Sequence, residues 1–229
     1  ITFGRLIIFL LLLSSMNKSY IYLHGFASSP QSAKADFLCD RFREKHINLQ
    51  VPDLNQGDFY HLTLTRQLQQ IETEFHLKSE QKKVIIGSSF GGLTSTWLAE
   101  RNPSVERLIL LAPAFEFLIH VLPKLGDEPL KKWQIERDLL VYHHGEKREI
   151  LLNYHFIEDL EQYDDQQLQR SLPTLILHGK QDDIIPIQAS RNYAASRPWV
   201  KLVELESDHT LGDVLPEIWQ EIQYNLDLF

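Results

Sequence analysis

The chain has 229 residues, 43% of them hydrophobic and 24% charged, a composition suited to one domain that buries its core without disulfides. With 31 acidic against 23 basic residues the net charge is −8, which argues against general affinity for nucleic-acid phosphates; no basic run with interleaved aromatics, CxxC pair or GxxxxGK[ST] loop is present. The single cysteine, Cys39, cannot form an internal disulfide and suits a reducing compartment.

The N-terminal run RLIIFLLLL (Arg5 to Leu13) is one basic residue followed by eight apolar ones. It is too short to cross a bilayer and is similar to the core of a secretory signal. The only methionine, Met16, opens a stretch, MNKSYIYLHGF, that passes directly into a strand. Residues 1–15 are therefore read as a non-native or signal-like leader and residues 16–229 as a single domain. A start at Met16 implies a cytoplasmic protein, whereas a genuine leader would make it secreted or membrane-associated.

From there strand-like runs occur at 20–24, 47–51, 83–87, 107–111, 174–178 and 200–205, with helix-period segments between most of them. Ser29 and Pro30 read as an N-cap and a first helical residue, opening a helix to about Lys45. Leu64, Leu68, Ile71 and Phe75 share one helix face, as do Val214, Ile218 and Ile222. This alternation predicts an α/β fold: about six mostly parallel strands with helices on both faces. Some 60 residues separate the fourth predicted strand from the fifth, too many for one crossover helix, so a cap or lid insertion is expected over about 113–172. Within it, DLLVYHHGEKREILLNYHF reads as a hairpin turning at Gly145, and the five acids of 157–169 read as a solvated helix face.

The chemistry is signalled by VIIGSSFGG, residues 84–92. Gly87, Ser89 and Gly91 fit G-x-S-x-G between a strand and a helix, the setting in which a sharp turn exposes a serine nucleophile. Ser89, not Ser88, has glycine two residues away on each side. Serine needs a base, and the base an orienting acid, expected after later strands in the order Ser, Asp/Glu, His. TLILHGKQDDIIP offers Asp182 or Asp183, with Asp182 preferred and Asp183 read as a cap for the following segment. VKLVELESDHTL offers His209, and His178 is read as structural. Near the start, YLHGF lets the chain turn at Gly25 so that the amides of Phe26 and Phe90 can form an oxyanion hole, with His24 in support.

Together these residues resemble the α/β-hydrolase superfamily and, through YLHGFASSPQSAKA and IIGSSFGG, more narrowly the YqiA/YcfP-like group of small bacterial esterases. The resemblance runs from Met16 through most of the chain. It implies a compact sheet without the first two strands of larger hydrolases, and ester or thioester hydrolysis through Ser89, Asp182 and His209. Four positions depart from that pattern: Ala27 where asparagine is expected, Phe90 where leucine is commoner, and Thr210-Leu211 where a small residue and an aromatic usually follow the histidine.

The expected activity is cleavage of a small-molecule acyl ester or thioester through an acyl-enzyme, with no metal or organic cofactor. Phe115, Phe117, Leu118 and Trp133 are candidates to line an apolar acyl pocket. Partners such as nucleic acid or a stable membrane span are not expected, and the sequence fixes no oligomeric state. The same three residues would also serve an amidase, acyltransferase, perhydrolase or C–C lyase; a binding protein on this fold is the non-enzymatic alternative.

Overall fold

In the computed structural model residues 18–228 are described; the leader assigned to residues 1–15 lies outside them. Six parallel strands form the main sheet: β1 (Lys18–Leu23), β2 (Leu49–Gln50), β3 (Lys82–Ser88), β4 (Val105–Leu111), β7 (Thr174–Gly179) and β8 (Val200–Leu205), in the order β2-β1-β3-β4-β7-β8. The two-residue side-chain period of a strand sorts the core between two faces. On one face Tyr20, Tyr22, Val84, Ile86, Ile109 and Leu111 pack against Leu38 and Phe42 of α1 (Ala33–Glu44) and Ile218 and Ile222 of α8 (Leu215–Leu226). On the other, Ile21, Leu23, Ile85, Leu108 and Leu110 meet α2 (Leu64–Glu74), α3 (Phe90–Arg101) and α7 (Ile187–Ala195).

α1 begins later than its sequence suggests. Ser29 and Pro30 lie in a turn closed by Ser32 N to Ser29 O at 3.1 Å, and Ser32 is the cap, its Oγ accepting from Ala35 N at 3.3 Å. Two helices end in the left-handed turn usually given to glycine, but with histidine there. His46 (φ 58°) follows α1 and His76 (φ 49°) follows α2; the next amides, Ile47 and Leu77, donate to Phe42 O and Glu72 O at 3.0 and 3.1 Å. A Cβ is penalised in that conformation. His46→Gly, at an exposed site, is therefore expected to raise the unfolding free energy by about 1 kcal/mol in urea denaturation. An unchanged midpoint would show the turn to be unstrained.

The insertion lies between β4 and β7. It comprises α4 (Phe117–Leu125), α5 (Asp127–Glu136), an antiparallel hairpin of β5 (Asp138–His143) and β6 (Arg148–Asn153), α6 (His155–Leu160) and a 3-10 turn (Asp165–Gln167). The hairpin is tied to the body through His144 N to Ala27 O at 2.8 Å and Asn153 N to Tyr60 O at 3.0 Å.

Reading 157–169 as one solvated acidic face is corrected here. Asp159 is buried and accepts from Thr65 N, in the first turn of α2, at 3.0 Å; Asp165 Oδ2 accepts from Glu116 N, at the start of α4, at 2.7 Å. These carboxylates satisfy orphan amides of helices distant in sequence, where the helix dipole also favours negative charge. Burial pushes the Asp165 carboxyl up to about 6, opposed by the Glu116 amide and assisted by the charges of Glu116 and Asp164. A carboxyl raised in the folded state binds more protons there than in the unfolded chain, so its contribution to stability falls as pH rises through 4 to 6. Asp165→Asn is expected to raise the melting temperature at pH 7.5 by a few degrees and to leave it unchanged near pH 4. An equal gain at both pH values would count against this account.

Candidate active site

β3 ends against the next helix in a turn with little room. Ser89 has φ 53° and ψ −118°, a strained conformation for a residue with a Cβ. Its backbone is fixed on three sides, by Ser89 N to Leu111 O at 2.8 Å, Ala114 N to Ser89 O at 3.0 Å and Gly92 N to Ser89 O at 2.8 Å. The flanking glycines answer a packing requirement. A Cβ on Gly87 would stand 2.4 Å from Gly91 O, and one on Gly91 would stand 2.2 Å from Leu23 O.

The later loops bring two side chains to this turn. Ser89 Oγ lies 2.9 Å from His209 Nε2, and His209 Nδ1 lies 2.7 Å from Asp182 Oδ2. A carboxylate only accepts, so Nδ1 carries the proton and Nε2 is left to accept from the serine. Of the two candidate acids it is Asp182 that reaches His209. Asp183 is exposed and does not cap the next segment; Asp182 itself does so, Oδ1 accepting from Ile184 N and Ile185 N at 2.9 Å each. Burial alone would push the Asp182 carboxyl up, but hydrogen bonds from His178 and His209 outweigh it and hold the group well below the usual carboxylate range.

The His209 loop is fastened on both sides. Asp208 Oδ1 accepts from Thr210 N and Thr210 Oγ1 at 2.8 and 2.6 Å, Ser207 Oγ bonds Asp213, and Leu211 is fully buried beneath. The unusual Thr210-Leu211 pair thus supplies a hydroxyl to the loop and an anchor to the core.

Facing Ser89 is the turn after β1. A Cβ on Gly25 would be 3.3 Å from Ser89 Cβ and 3.9 Å from its Oγ, so this glycine allows the close approach. Neither the Phe26 nor the Phe90 amide donates to another protein group among the described residues. His24 supports the turn, Nδ1 lying 2.9 Å from Gly25 O and Nε2 accepting from Leu54 N at 3.0 Å. Ala27 sits at φ 50°, a conformation that asparagine adopts more readily than alanine.

The aromatic surroundings differ in part from expectation. The ring of Phe117 is 5.4 Å from Phe90 and 6.4 Å from Phe26, and Phe156 lies 5.3 and 5.4 Å from Phe26 and Phe90. Phe115, Phe117 and Leu118 line a cleft of about 330 Å³ that shares Phe117 with this cluster but is lined by neither Ser89 nor His209; Leu93, Tyr163 and Tyr193 are among its other walls. Trp133 does not line it. Its indole is 3% exposed and donates to Leu152 O at 3.0 Å, which makes it a brace between α5 and β6. Phe156 escaped sequence reasoning because only the tertiary fold returns α6, after the hairpin, to the rings of Phe26 and Phe90. Lys124 escaped for the same reason: from the last turn of α4 its Nζ donates to the carbonyls of Asp183 and Ile184, tying the insertion to the acid-bearing turn.

Residues 19–225, nearly the whole described chain, match the Uncharacterised protein family UPF0227. The chain belongs to UPF0227. Solved α/β hydrolases share the fold of this UPF0227 chain at low identity. Est1E from Butyrivibrio proteoclasticus, determined with ferulic acid bound, superposes with a TM-score of 0.73 at 20% identity, covering 92% of this chain and 91% of its own. Mouse alpha/beta hydrolase domain-containing protein 10 gives 0.68 at 20% identity, with 90% of each chain covered. The hydrolase MGS-MChE2, from the metagenome of lagoon sediments at Mar Chica in Morocco, gives 0.63 at 15% identity, covering 92% of each. The UPF0227 chain is thus an α/β-hydrolase fold with its insertion between the fourth and fifth strands of the main sheet. Among the described residues no helix is long and apolar enough to cross a membrane, and no cluster of three or more His, Cys, Asp or Glu could hold a metal ion.

Proposed function

We propose that this protein is a serine hydrolase that cleaves carboxylic esters or acyl thioesters of small molecules through an acyl-enzyme. The observation that carries the reading is the unbroken chain of contacts from Ser89 Oγ to His209 Nε2 and from His209 Nδ1 to Asp182 Oδ2. In this reading His209 takes the serine proton as Oγ attacks the carbonyl carbon, and the ionised Asp182 stabilises the imidazolium that results. The carbonyl oxygen becomes an oxyanion within reach of the Phe26 and Phe90 amides, which a helix N-terminus reinforces. Collapse expels the alcohol or thiol, protonated by His209. Water then attacks the acyl-Ser89 ester with His209 again as base, and the acid product leaves.

The strain at Ser89 and the unpartnered amides suit this chemistry, since both cost stability and neither improves packing. The rings of Phe117 and Phe156, which stand against Phe26 and Phe90 beside the proposed oxyanion amides, would give the acyl group an apolar wall. The lone cysteine suits action in a reducing compartment such as the cytoplasm. The test is hydrolysis of p-nitrophenyl acetate, butyrate, octanoate and palmitate, together with capture of Ser89 by a fluorophosphonate read by mass spectrometry. At least one of the esters should turn over, the chain-length profile then sizing the acyl site, and label should fall on Ser89 alone. A folded protein that neither hydrolyses any of the four esters nor takes the label would overturn the reading.

A further inference from the structure

His178 stands in β7, completely buried, and no step of the proposed reaction uses it. Its Nε2 lies 3.0 Å from Asp182 Oδ2 and 2.9 Å from Ile185 O. Both partners accept, so this nitrogen carries the proton. Its Nδ1 lies 2.7 Å from Ser190 Oγ on α7, which holds the ring from its other edge. The oxygen it reaches is the same Oδ2 that receives His209 Nδ1 at 2.7 Å. With Ile184 N and Ile185 N on Oδ1, the carboxylate has four N–H donors, two of them imidazoles meeting at one atom. A ring kept only to fill the core would need no polar partner. One kept only to close the 179–186 turn would need Ile185 O alone. Neither role explains the contact with Oδ2.

We propose that His178 is a positioning residue for the reaction: it donates from Nε2 to Asp182 Oδ2, fixes the carboxylate toward His209, and limits how much of its negative charge the His209 imidazolium feels. The inference rests on reading Ser89, His209 and Asp182 as the reacting groups. Two donors on one oxygen compete for its charge, so each weakens the other's bond. With His178 present, Asp182 keeps its charge but shares it between two imidazole donors. Without it, the carboxylate would favour the imidazolium before substrate arrives, and the base would be lost at a higher pH. The ionisable groups around Asp182 are His178 on β7, His209 on the loop after β8 and Lys34 on α1, which Asp208 also attracts. Burial pushes the Lys34 ammonium down to about 8, against the pull of Asp182 and Asp208, so its titration falls on the alkaline side of the profile.

The experiment is the pH dependence of kcat/KM on p-nitrophenyl butyrate for wild type, His178→Phe and His178→Gln. Phenylalanine fills the space without a donor, and the acid limb is expected to move up by about one pH unit. Glutamine places an amide N–H near the same oxygen and is expected to return the limb to the wild-type position. A Phe variant that is slower but keeps the wild-type limb, or Gln and Phe variants that shift alike, would reduce His178 to packing. Should the Phe variant not fold, the wild type decides. With ¹⁵N-labelled histidine, phosphonate attached to Ser89 holds His209 protonated and draws Asp182 Oδ2 toward it, so the His178 Nε2–H resonance should move upfield. An unmoved resonance overturns the proposal. Wild-type protein that neither turns over ester nor takes the phosphonate would instead strike the hydrolase reading beneath it.

Discussion

Ser89→Ala is expected to lower kcat/KM on p-nitrophenyl butyrate by about 10⁴- to 10⁶-fold, while Ser88→Ala stays within a few-fold of wild type. The two serines are adjacent, but the turn separates their surroundings. Ser88 closes β3 and is 2% exposed, so its loss removes a small buried side chain and no reacting group. Ser89 follows it with φ 53°, and its Oγ meets His209 Nε2 at 2.9 Å. A second consequence concerns stability. Ser89→Gly removes the Cβ from a strained conformation and should raise the unfolding free energy by about 1 kcal/mol while leaving no nucleophile. Rate assays, phosphonate labelling and urea denaturation on the same preparations check all three variants. Substantial activity in pure Ser89→Ala protein, or a Ser88→Ala loss of the same size, would reassign the nucleophile.

Gly91→Ala should abolish folding rather than merely lower activity. The added methyl would stand 2.2 Å from Leu23 O and 2.5 Å from His24 O, both backbone atoms at the end of β1, the strand beside β3 in the centre of the sheet. Neither carbonyl can retreat without breaking the pairing of β1 with β3, and contacts this short in a close-packed interior cost several kcal/mol, a large part of a domain's net stability. Gly212→Ala is the control. Its Cβ meets only Thr210 Oγ1 at 3.5 Å, an ordinary contact, and it should unfold within about 0.5 kcal/mol of wild type. The expected result is insoluble or molten Gly91→Ala protein beside native-like Gly212→Ala by near-UV circular dichroism. A cooperative thermal transition in Gly91→Ala within a few degrees of wild type would show that the elbow yields more than these distances allow.

Much of this protein can be read along the chain because its signals are local. The six strands of the main sheet announce themselves as short apolar runs, and the alternation of Tyr20, Ile21, Tyr22 and Leu23 between two cores follows from the period of a strand alone. Ser89 is recognisable because two glycines and a preceding strand leave one sharp turn to build. The hydroxyl, imidazole and carboxylate candidates each follow a different parallel strand, and parallel strands deliver their following loops to one edge of the sheet.

Beyond that, only the tertiary structure decides. The sequence leaves Asp182 and Asp183 as neighbours of the same charge; the turn after β7 aims one at His209 and leaves the other in solvent. The acids of 157–169 look like a polar surface, yet Asp159 and Asp165 cap helices some 94 and 49 residues away in sequence. Trp133 looks like a pocket wall until its indole is found bonded to Leu152, while Phe156 and His178 look like ordinary core until one is found beside Phe26 and Phe90 and the other on Asp182. The sequence by itself determined the strands, the elbow and the residue types that can react, because backbone geometry and period are set by near neighbours. Which carboxylate meets which amide or imidazole was decided by tertiary packing, because a buried polar group must find a partner wherever the folded chain supplies one.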